Sequence, residues 1–242
     1  QKVDLPGGVS MRLVEKGLPQ IVEVSEVLTE AYFSKHGELA LPPYIQKARD
    51  ERRNRVEDQN WYQTEWASRT GSTAAPTASL HFHQADLDML KQKGVTVSHL
   101  TLHVGLGTFL PVKVENLAEH VMHSEYCEIS KSLVKQLLQV KKDGGRVWAL
   151  GTTVARALES LACGLLTETE KDFAGETQLF IRPGYEFQYV GALMTNFHQP
   201  QSTLLALVAA FAGLKDVLMA YQWAVDREFR LFSYGDFSVW MK

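Results

Sequence analysis

The spacing of hydrophobic residues changes along the chain, and each change predicts a different element of secondary structure. Between residues 9 and 13 every second position is apolar, which is typical of a strand with one buried face, and residues 21–24 form a second apolar run. Gly17 and Pro19 separate the two runs and favour a turn. Because two strands alone are not stable in water, we expect residues 1–25 to complete a larger sheet.

Helix and strand patterns alternate after residue 25. Ser25 is suited to cap a helix that ends at Gly37, and the charged and aromatic segment 47–68 is expected to be helical for most of its length. Farther along, we expect helices near residues 84–93, 130–142, 152–161, 202–213 and 215–228 and strands near residues 95–104, 146–150, 178–181, 192–195 and 229–233. Strands separated by helices are typical of the α/β class, so we predict a mixed sheet with flanking helices.

The composition is that of an ordinary globular protein. Its 242 residues are 45% hydrophobic and 22% charged, which is enough to bury a sizeable core. The longest apolar stretch, residues 204–212, is shorter than the roughly 20 residues that a membrane span needs, so we expect no membrane association. The two cysteines, Cys127 and Cys163, have no zinc-site spacing and fit a reducing compartment, so we expect a cytoplasmic protein. We also expect a monomer.

The net charge of -3 excludes a protein that binds nucleic acid with its whole surface, so any such contact must use a local patch. The densest cationic stretch is residues 47–55, which carry five positive and two negative charges. Trp61, Tyr62 and Trp66 follow it and are able to stack on bases. The alternative is a solvated helix whose charges form local ion pairs.

Three predicted strand ends carry small or polar residues, in segments 103–108, 151–153 and 195–198. Ligands of α/β proteins collect beyond the carboxyl ends of strands, where glycines allow close approach and helix N-termini offer free N–H groups to an anion. The alternative is that these glycines form tight turns and the threonines cap helices. The spacing is not GxGxxG, so a Rossmann dinucleotide site is not indicated.

Several histidines lie in or beside these segments and are candidates for acid–base chemistry. His120 and His123 precede Glu125 at a spacing that could bind metal, but no third ligand follows at a recognisable distance, so we expect no metal. If residues 123–125 are in a strand, His123 and Glu125 point to the same face, and the carboxylate would fix the tautomer of the imidazole.

Longer motifs occur in order from about residue 9 to residue 239. They are Leu41-Pro-Pro-Tyr-Ile45, Tyr62-Gln-Thr64, Ala74-Ala-Pro-Thr-Ala78 with Leu80-His-Phe82, Leu100-Thr-Leu-His-Val-Gly105 with Gly107-Thr-Phe109, His123-Ser-Glu-Tyr126, Gly151-Thr-Thr153 with Arg156 and Leu158-Glu-Ser160, Pro183-Gly184, Thr195-Asn-Phe-His198, Ser202-Thr-Leu204, Ala209 to Gly213, and Phe232-Ser-Tyr-Gly-Asp236. Together they resemble the S-adenosylmethionine:tRNA ribosyltransferase-isomerase family of queuosine biosynthesis.

The resemblance implies an α/β domain with a β-barrel inserted into it. Residues 1–25 would be the last strands of the barrel and residues 26–242 the α/β catalytic domain, and we expect this chain to lack the N-terminal part of the family. The implied reaction moves the ribosyl group of S-adenosylmethionine, a co-substrate, onto 7-aminomethyl-7-deazaguanine at the tRNA wobble position. The group is isomerised, adenine and methionine leave, and the product is epoxyqueuosine-tRNA.

Motif membership and chemistry together assign candidate residues to this implied reaction. For proton transfer we expect His103, His123, Glu125 and His198; for S-adenosylmethionine binding Gly105, Gly107, Thr108, Gly151, Thr152, Thr153 and Asn196; and for tRNA binding Lys47, Arg49, Arg52 and Arg53. Which residue performs each proton transfer stays open.

The sequence departs from the family pattern at several motif positions. They are Ser79, Leu106, Leu110, Gly191 and Gln199. Leu110 and Gly191 replace polar groups that could have touched a ligand, which keeps an alternative open, a tRNA-binding relative with impaired catalysis. A methyltransferase, the third alternative, would need a glycine-rich loop after a first strand and an acidic end on the next strand, and neither is visible.

Overall fold

A computed structural model describes residues 2–17, 20–51, 54–105, 112 and 114–242. The chain divides into two compact units, Gln1–Gln59 and Asn60–Lys242. Among the described residues there are ten strands and eight α-helices, arranged as antiparallel and mixed sheets with helices beside them. The predicted α/β class is therefore confirmed. The division into barrel strands at 1–25 and an α/β domain at 26–242 stays a prediction.

The first unit begins with an antiparallel sheet. Its strands are β1 (Lys2–Asp4), β2 (Ser10–Glu15) and β3 (Ile21–Val24), and its helices are α1 (Glu30–His36) and α2 (Pro43–Arg49), with the short α3 (Asp58–Trp61) at the boundary of the units. The sequence predicted two strands in this region, whereas the described residues form a sheet of three strands. Thr29, rather than Ser25, caps α1, because the Ser25 hydroxyl instead accepts a hydrogen bond from the Ser10 N–H.

The long helix expected over residues 47–68 does not form. Helix α2 ends at Asp50, whose φ of 51° is left-handed and breaks the helical path. Arg49, the last residue of α2, donates two hydrogen bonds, of 2.7 and 3.0 Å, to the buried carboxylate of Asp58. The Arg55 N–H donates to the same carboxylate at 2.9 Å. This buried ion pair folds the segment back on itself, a tertiary contact that helix periodicity does not reveal.

The second unit contains two sheets and the longer helices. Its strands are β4 (Thr101–His103), β5 (Glu125–Ser130), β6 (Val147–Leu150), β7 (Thr167–Glu168), β8 (Asp172–Thr177), β9 (Val190–Asn196) and β10 (Phe237–Met241), and its helices are α4 (Gln84–Gln92), α5 (Lys131–Lys142), α6 (Thr152–Ala162), α7 (Thr203–Ala212) and α8 (Leu214–Val225). Within the described residues, one sheet is antiparallel in the order β4-β5-β8-β7, and the other has the order β10-β9-β6 with β6 parallel to β9.

The core lies between these sheets and helices α5, α6 and α7. Ala149 and Leu193 of the mixed sheet are fully buried, and Leu158 of α6 and Val208 of α7 pack in the same cluster. Ser130 caps α5 and Ser202 caps α7 through their hydroxyl groups, as the sequence predicted. Among the described residues no single helix is long and apolar enough to cross a membrane; α7 and α8 pass only as a pair, bent by 113°.

Three strands lie elsewhere than expected. The apolar run at 95–104 is a strand only at β4, and strands β8 and β10 replace those predicted at 178–181 and 229–233. Ile181 is buried without being in a strand, and Phe229 follows α8, where its N–H bonds the Ala224 carbonyl. In these segments an apolar run marked neither strand pairing nor burial reliably, since Ile181 is buried whereas Val95 and Phe229 are exposed.

Candidate functional site

A pocket of about 380 Å³, counting the part open to solvent, lies in the second unit. Its described lining residues are Val104, Met122, Glu125, Thr152, Thr153, Arg156, Leu179, Phe180, Ile181, Thr203, Leu204 and Leu207. Val104 follows β4, Thr152 follows β6 and Leu179 follows β8 by two residues, so the pocket lies beyond the carboxyl ends of strands from both sheets. This is where α/β proteins bind their ligands.

The pocket contains a buried ion pair. Glu125, the first residue of β5, is 5% exposed, and Arg156 of α6 is 8% exposed. An Arg156 Nη1 donates to Glu125 Oε2 at 2.7 Å, and the Gly105 N–H donates to Glu125 Oε1 at 3.1 Å. The carboxylate expected beside the His123 imidazole therefore has the guanidinium of Arg156 as its charged partner.

Arg156 connects three segments at the bottom of the pocket. Besides Glu125, its Nη2 donates to the Thr177 carbonyl at 3.1 Å and to the His123 carbonyl at 3.3 Å. Its Nε is buried and has no hydrogen-bond partner among the described residues. Burial lowers the pKa of Arg156, and the Glu125 charge opposes that shift. The guanidinium therefore fixes the position of the carboxylate relative to β8 and α6.

Helix α6 presents its N-terminus to the pocket. Gly151 is its N-cap, with φ 102°, and has no side chain with which to cap the first turn. The Gly151 N–H is bonded to the Met194 carbonyl at 2.7 Å, which joins the turn to β9. Thr152 and Thr153 open the helix and line the pocket. An uncapped helix N-terminus is suited to bind an anionic group.

The remaining wall is largely apolar. Phe180, Met122 and Leu204 are among the lining residues, and the His120 ring packs edge-on against Phe180 at 5.2 Å between centroids. An aromatic ring can also contact a cation such as a sulfonium. The pocket thus combines a carboxylate, a helix N-terminus and an aromatic wall.

The three predicted histidines are not among the described lining residues. His103 precedes the pocket-lining Val104, and successive side chains of an extended segment point to opposite faces. The His103 ring stacks on Tyr126, and its Nδ1 is buried and has no hydrogen-bond partner among the described residues. His123 precedes β5 and offers its carbonyl to Arg156.

His198 lies in a separate buried environment. Its Nε2 is 2.8 Å from the Thr195 hydroxyl, and its N–H donates to the Tyr221 hydroxyl at 2.9 Å. Burial lowers the pKa of His198 to about 4, so the imidazole is neutral at pH 7. Burial also raises the pKa of Tyr221 to about 12.

The expected S-adenosylmethionine residues are partly brought together. Thr152 and Thr153 line the pocket, directly after Gly151, and Gly105 bonds Glu125. Asn196 is buried at the end of β9, where its Oδ1 accepts from the Thr77 hydroxyl at 2.9 Å and its Nδ2 has no described partner. Gly107 and Thr108 lie outside the described residues.

The expected tRNA-binding residues lie in the first unit. Lys47 is exposed, whereas Arg49 is ion-paired with the buried Asp58. Arg52 and Arg53 lie outside the described residues. The tRNA role of this run stays a prediction.

Sequence reasoning quoted Arg156 within a motif but gave it no role in the site. The available signal was a single cation in a helix with few charges, next in the chain to Ala155 and Ala157, which are both fully buried. A buried arginine requires a compensating anion, so it indicates a nearby carboxylate. Within the described part of the chain, no cluster of three histidine, cysteine or carboxylate side chains could hold a metal.

The fold is that of an α/β protein, and its pocket combines a buried ion pair with an uncapped helix N-terminus. The family model described as queuosine biosynthesis protein matches residues 2–239, and the chain belongs to that family. This agrees with the resemblance carried by the motifs.

Curated relatives and one solved structure give the same picture. The chain is 49% identical over 202 residues to an S-adenosylmethionine:tRNA ribosyltransferase-isomerase from Coxiella burnetii strain RSA 331 / Henzerling II, and 49% identical over 206 residues to that of strain Dugway 5J108-111. The match to either covers 84% of this chain and 57% of the relative, so the chain spans little more than half the length of the curated relatives it matches. The crystal structure of an S-adenosylmethionine tRNA ribosyltransferase from Thermotoga maritima is similar with a TM-score of 0.54 and 40% identity, over 69% of this chain and 51% of that one.

Proposed function

We propose that the pocket binds S-adenosylmethionine and that the protein transfers its ribosyl group, with isomerisation, to 7-aminomethyl-7-deazaguanine at the tRNA wobble position. Adenine and methionine leave, and epoxyqueuosine-tRNA is the product. The observation that carries the proposal is the ion-paired Glu125 in a pocket that also receives the uncapped N-terminus of α6. Membership of the queuosine biosynthesis family supports the choice of substrate and tRNA.

The pocket has a counterpart for two charged groups of S-adenosylmethionine, the carboxylate and the sulfonium. The methionine carboxylate binds the free N–H groups at Thr152 and Thr153, where the helix dipole favours negative charge. The sulfonium lies against the ring of Phe180, which lines the same pocket as the Glu125 carboxylate. The carboxylate and the sulfonium are thereby held by groups of opposite charge, which orients the methionine part of the ligand.

Glu125 is the base in this proposal. A sulfonium makes the adjacent ribose C5′ hydrogens acidic, and a carboxylate in the pocket is able to take one of them. The ribose ring opens as adenine departs, the tRNA amine attacks the sugar carbon, and methionine leaves as the epoxide closes. Arg156 keeps the Glu125 carboxylate in one orientation throughout and is a positioning residue.

The histidines take secondary roles. His103 remains a candidate proton donor on its motif alone, because its ring lies against Tyr126 and is not among the described lining residues of the pocket. His198 is neutral at pH 7 and bonded to Thr195, so it serves as a hydrogen-bonding group rather than an acid.

Analysis of the products separates this reaction from its alternatives. With S-adenosylmethionine and a tRNA carrying 7-aminomethyl-7-deazaguanine, the proposed reaction releases adenine and methionine in equal amounts. A methyltransferase would release S-adenosylhomocysteine. A tRNA-binding relative without catalysis would release neither product, and it would bind the tRNA all the same.

A further inference from the structure

Three cationic side chains converge on residues 187–191, in the second unit. Lys141, near the end of α5, places its Nζ 3.4 Å from the Gln188 carbonyl and 5.6 Å from the centre of the Tyr189 ring. Lys242 holds its Nζ 4.7 Å from the centre of the Phe187 ring. Both ammonium groups are thus kept in place by a carbonyl or an aromatic face, while the side chains stay exposed.

The third cation reaches the same segment from the start of β6. The side chain of Arg146 packs so closely on Gly191 that a Cβ at that position would lie 3.0 Å from the Arg146 Cγ. Its Nη1 is 3.8 Å from the Met241 sulfur, and the Lys242 N–H approaches the Gly191 carbonyl at 3.4 Å. We call Lys141, Arg146 and Lys242 the basic end of the sheet.

No carboxylate of the described residues forms an ion pair with any of these three cations. Elsewhere in the unit the arginines at 69, 156 and 230 are paired with acidic side chains. In a protein of net charge -3, an exposed group of unneutralised cations is a local positive surface. Lys142 is also exposed and adds a positive charge, and the exposed Asp143 and Glu186, next in sequence to Lys142 and Phe187, reduce but do not cancel the local excess of cations.

The basic end of the sheet lies away from the pocket. Arg146 precedes β6 and residues 187–191 lead into β9, whereas the pocket begins at Thr152, after the carboxyl end of β6. Six residues at about 3.3 Å each place the two regions on the order of 20 Å apart. A ligand that reaches both must be longer than S-adenosylmethionine.

We propose that the basic end of the sheet binds the phosphate backbone of the tRNA substrate, while the modified base enters the pocket. The proposal rests on the proposed function for the choice of RNA. Phosphates are suited to exposed cations that have no carboxylate partner, and such contacts fix the register of the RNA without reading its bases. Trp148, which is 45% exposed on β6, offers a face on which an unpaired base could stack.

The test compares two triple variants that change the net charge equally. Lys141→Gln, Arg146→Gln and Lys242→Gln remove the basic end, and Lys93→Gln, Lys171→Gln and Lys215→Gln remove three exposed cations elsewhere in the same unit. Binding of a tRNA carrying 7-aminomethyl-7-deazaguanine is measured across a salt series. We expect the first variant to bind roughly tenfold or more weakly, with a salt slope shallower by about two to three units, and the control to keep the parental values.

Further measurements separate this proposal from the assignment of the pocket. A variant with Lys141→Arg and Lys242→Arg should keep tRNA affinity, and S-adenosylmethionine affinity should be the same in every variant. Equal losses in both triple variants, an unchanged slope in the first, or a parent chain that binds no tRNA would each overturn the proposal. Continued binding of S-adenosylmethionine in those cases would leave the pocket assignment intact, whereas its absence would count against the proposed function.

Discussion

Glu125 and Arg156 are both more than nine-tenths buried, and each supplies an opposite charge to the other. Removing one member of a buried pair leaves an uncompensated charge, which is more costly than removing both. The same hydrogen bonds hold the Glu125 carboxylate in a single orientation in the pocket, whereas an exposed glutamate would adopt many orientations. At this scale, stability and the proposed chemistry depend on the same two residues.

Arg156→Met should therefore lower the free energy of unfolding by about 3–5 kcal/mol. The double variant Glu125→Gln, Arg156→Met should lose less than the sum of the two single variants, because it leaves no buried charge. Urea unfolding measures all four proteins. Arg69→Met is the control, since the exposed ion pair of Arg69 with Glu128 contributes roughly 1 kcal/mol or less. Additive losses would contradict a coupled pair.

His198 predicts an acid-dependent loss of stability. Its folded-state pKa of about 4 lies below the usual value of about 6.5, so the folded protein binds fewer protons than the unfolded chain. Stability should consequently fall as the pH decreases from about 6.5 toward 4. His198→Gln can still bond the Thr195 hydroxyl. Its free energy of unfolding, measured in urea at about pH 7, 6 and 5, should fall less with decreasing pH than that of the parent. The same pH dependence in both proteins would show that other groups cause it.

Helix α6 begins at a backbone conformation that only glycine adopts easily. The φ of 102° at Gly151 turns the chain from β6 into the helix, and the absence of a capping side chain leaves the first N–H groups for a ligand. Space alone does not require glycine here, because a Cβ would meet only the Ala78 Cβ, at 3.8 Å.

Gly151→Ala should cost about 1–3 kcal/mol of unfolding free energy through backbone strain, and it should weaken S-adenosylmethionine binding because the start of α6 shifts. Gly164→Ala is a matched control, with φ 69° and no atom within 4 Å of the added Cβ. It should lose stability without losing affinity. Calorimetric titration together with urea unfolding would decide between the two effects, and equal affinity in both variants would remove α6 from the site.

The elements also show how far the sequence alone leads. Helices α5 and α7 were predicted with their serine caps, because capping and amphipathic spacing are local properties. The helix expected over 47–68 failed because the contact between Arg49 and Asp58 is tertiary. The ion pair of Glu125 with Arg156 was missed for the same reason, since it joins residues that are 31 positions apart.

At the scale of the whole molecule, the described residues contain no cluster of ligands able to hold a metal. The sequence led us to expect no metal, and this expectation has a simple test. Prolonged dialysis against a chelator should leave the affinity for S-adenosylmethionine unchanged, with untreated protein as the control. A stoichiometric metal in the purified protein, lost together with binding, would contradict this and make His120 and His123 candidate ligands.

The central claim is that Glu125 acts on S-adenosylmethionine bound in the pocket beside α6. The most direct measurement is the rate of adenine release from S-adenosylmethionine with the modified tRNA, in the parent and in Glu125→Gln. Loss of one acid–base group should slow release at saturating S-adenosylmethionine by roughly 100-fold or more, a larger effect than the weaker binding that follows from losing the carboxylate charge. Equal rates in the two proteins would contradict the account, and Glu125 would then be a structural partner of Arg156 alone.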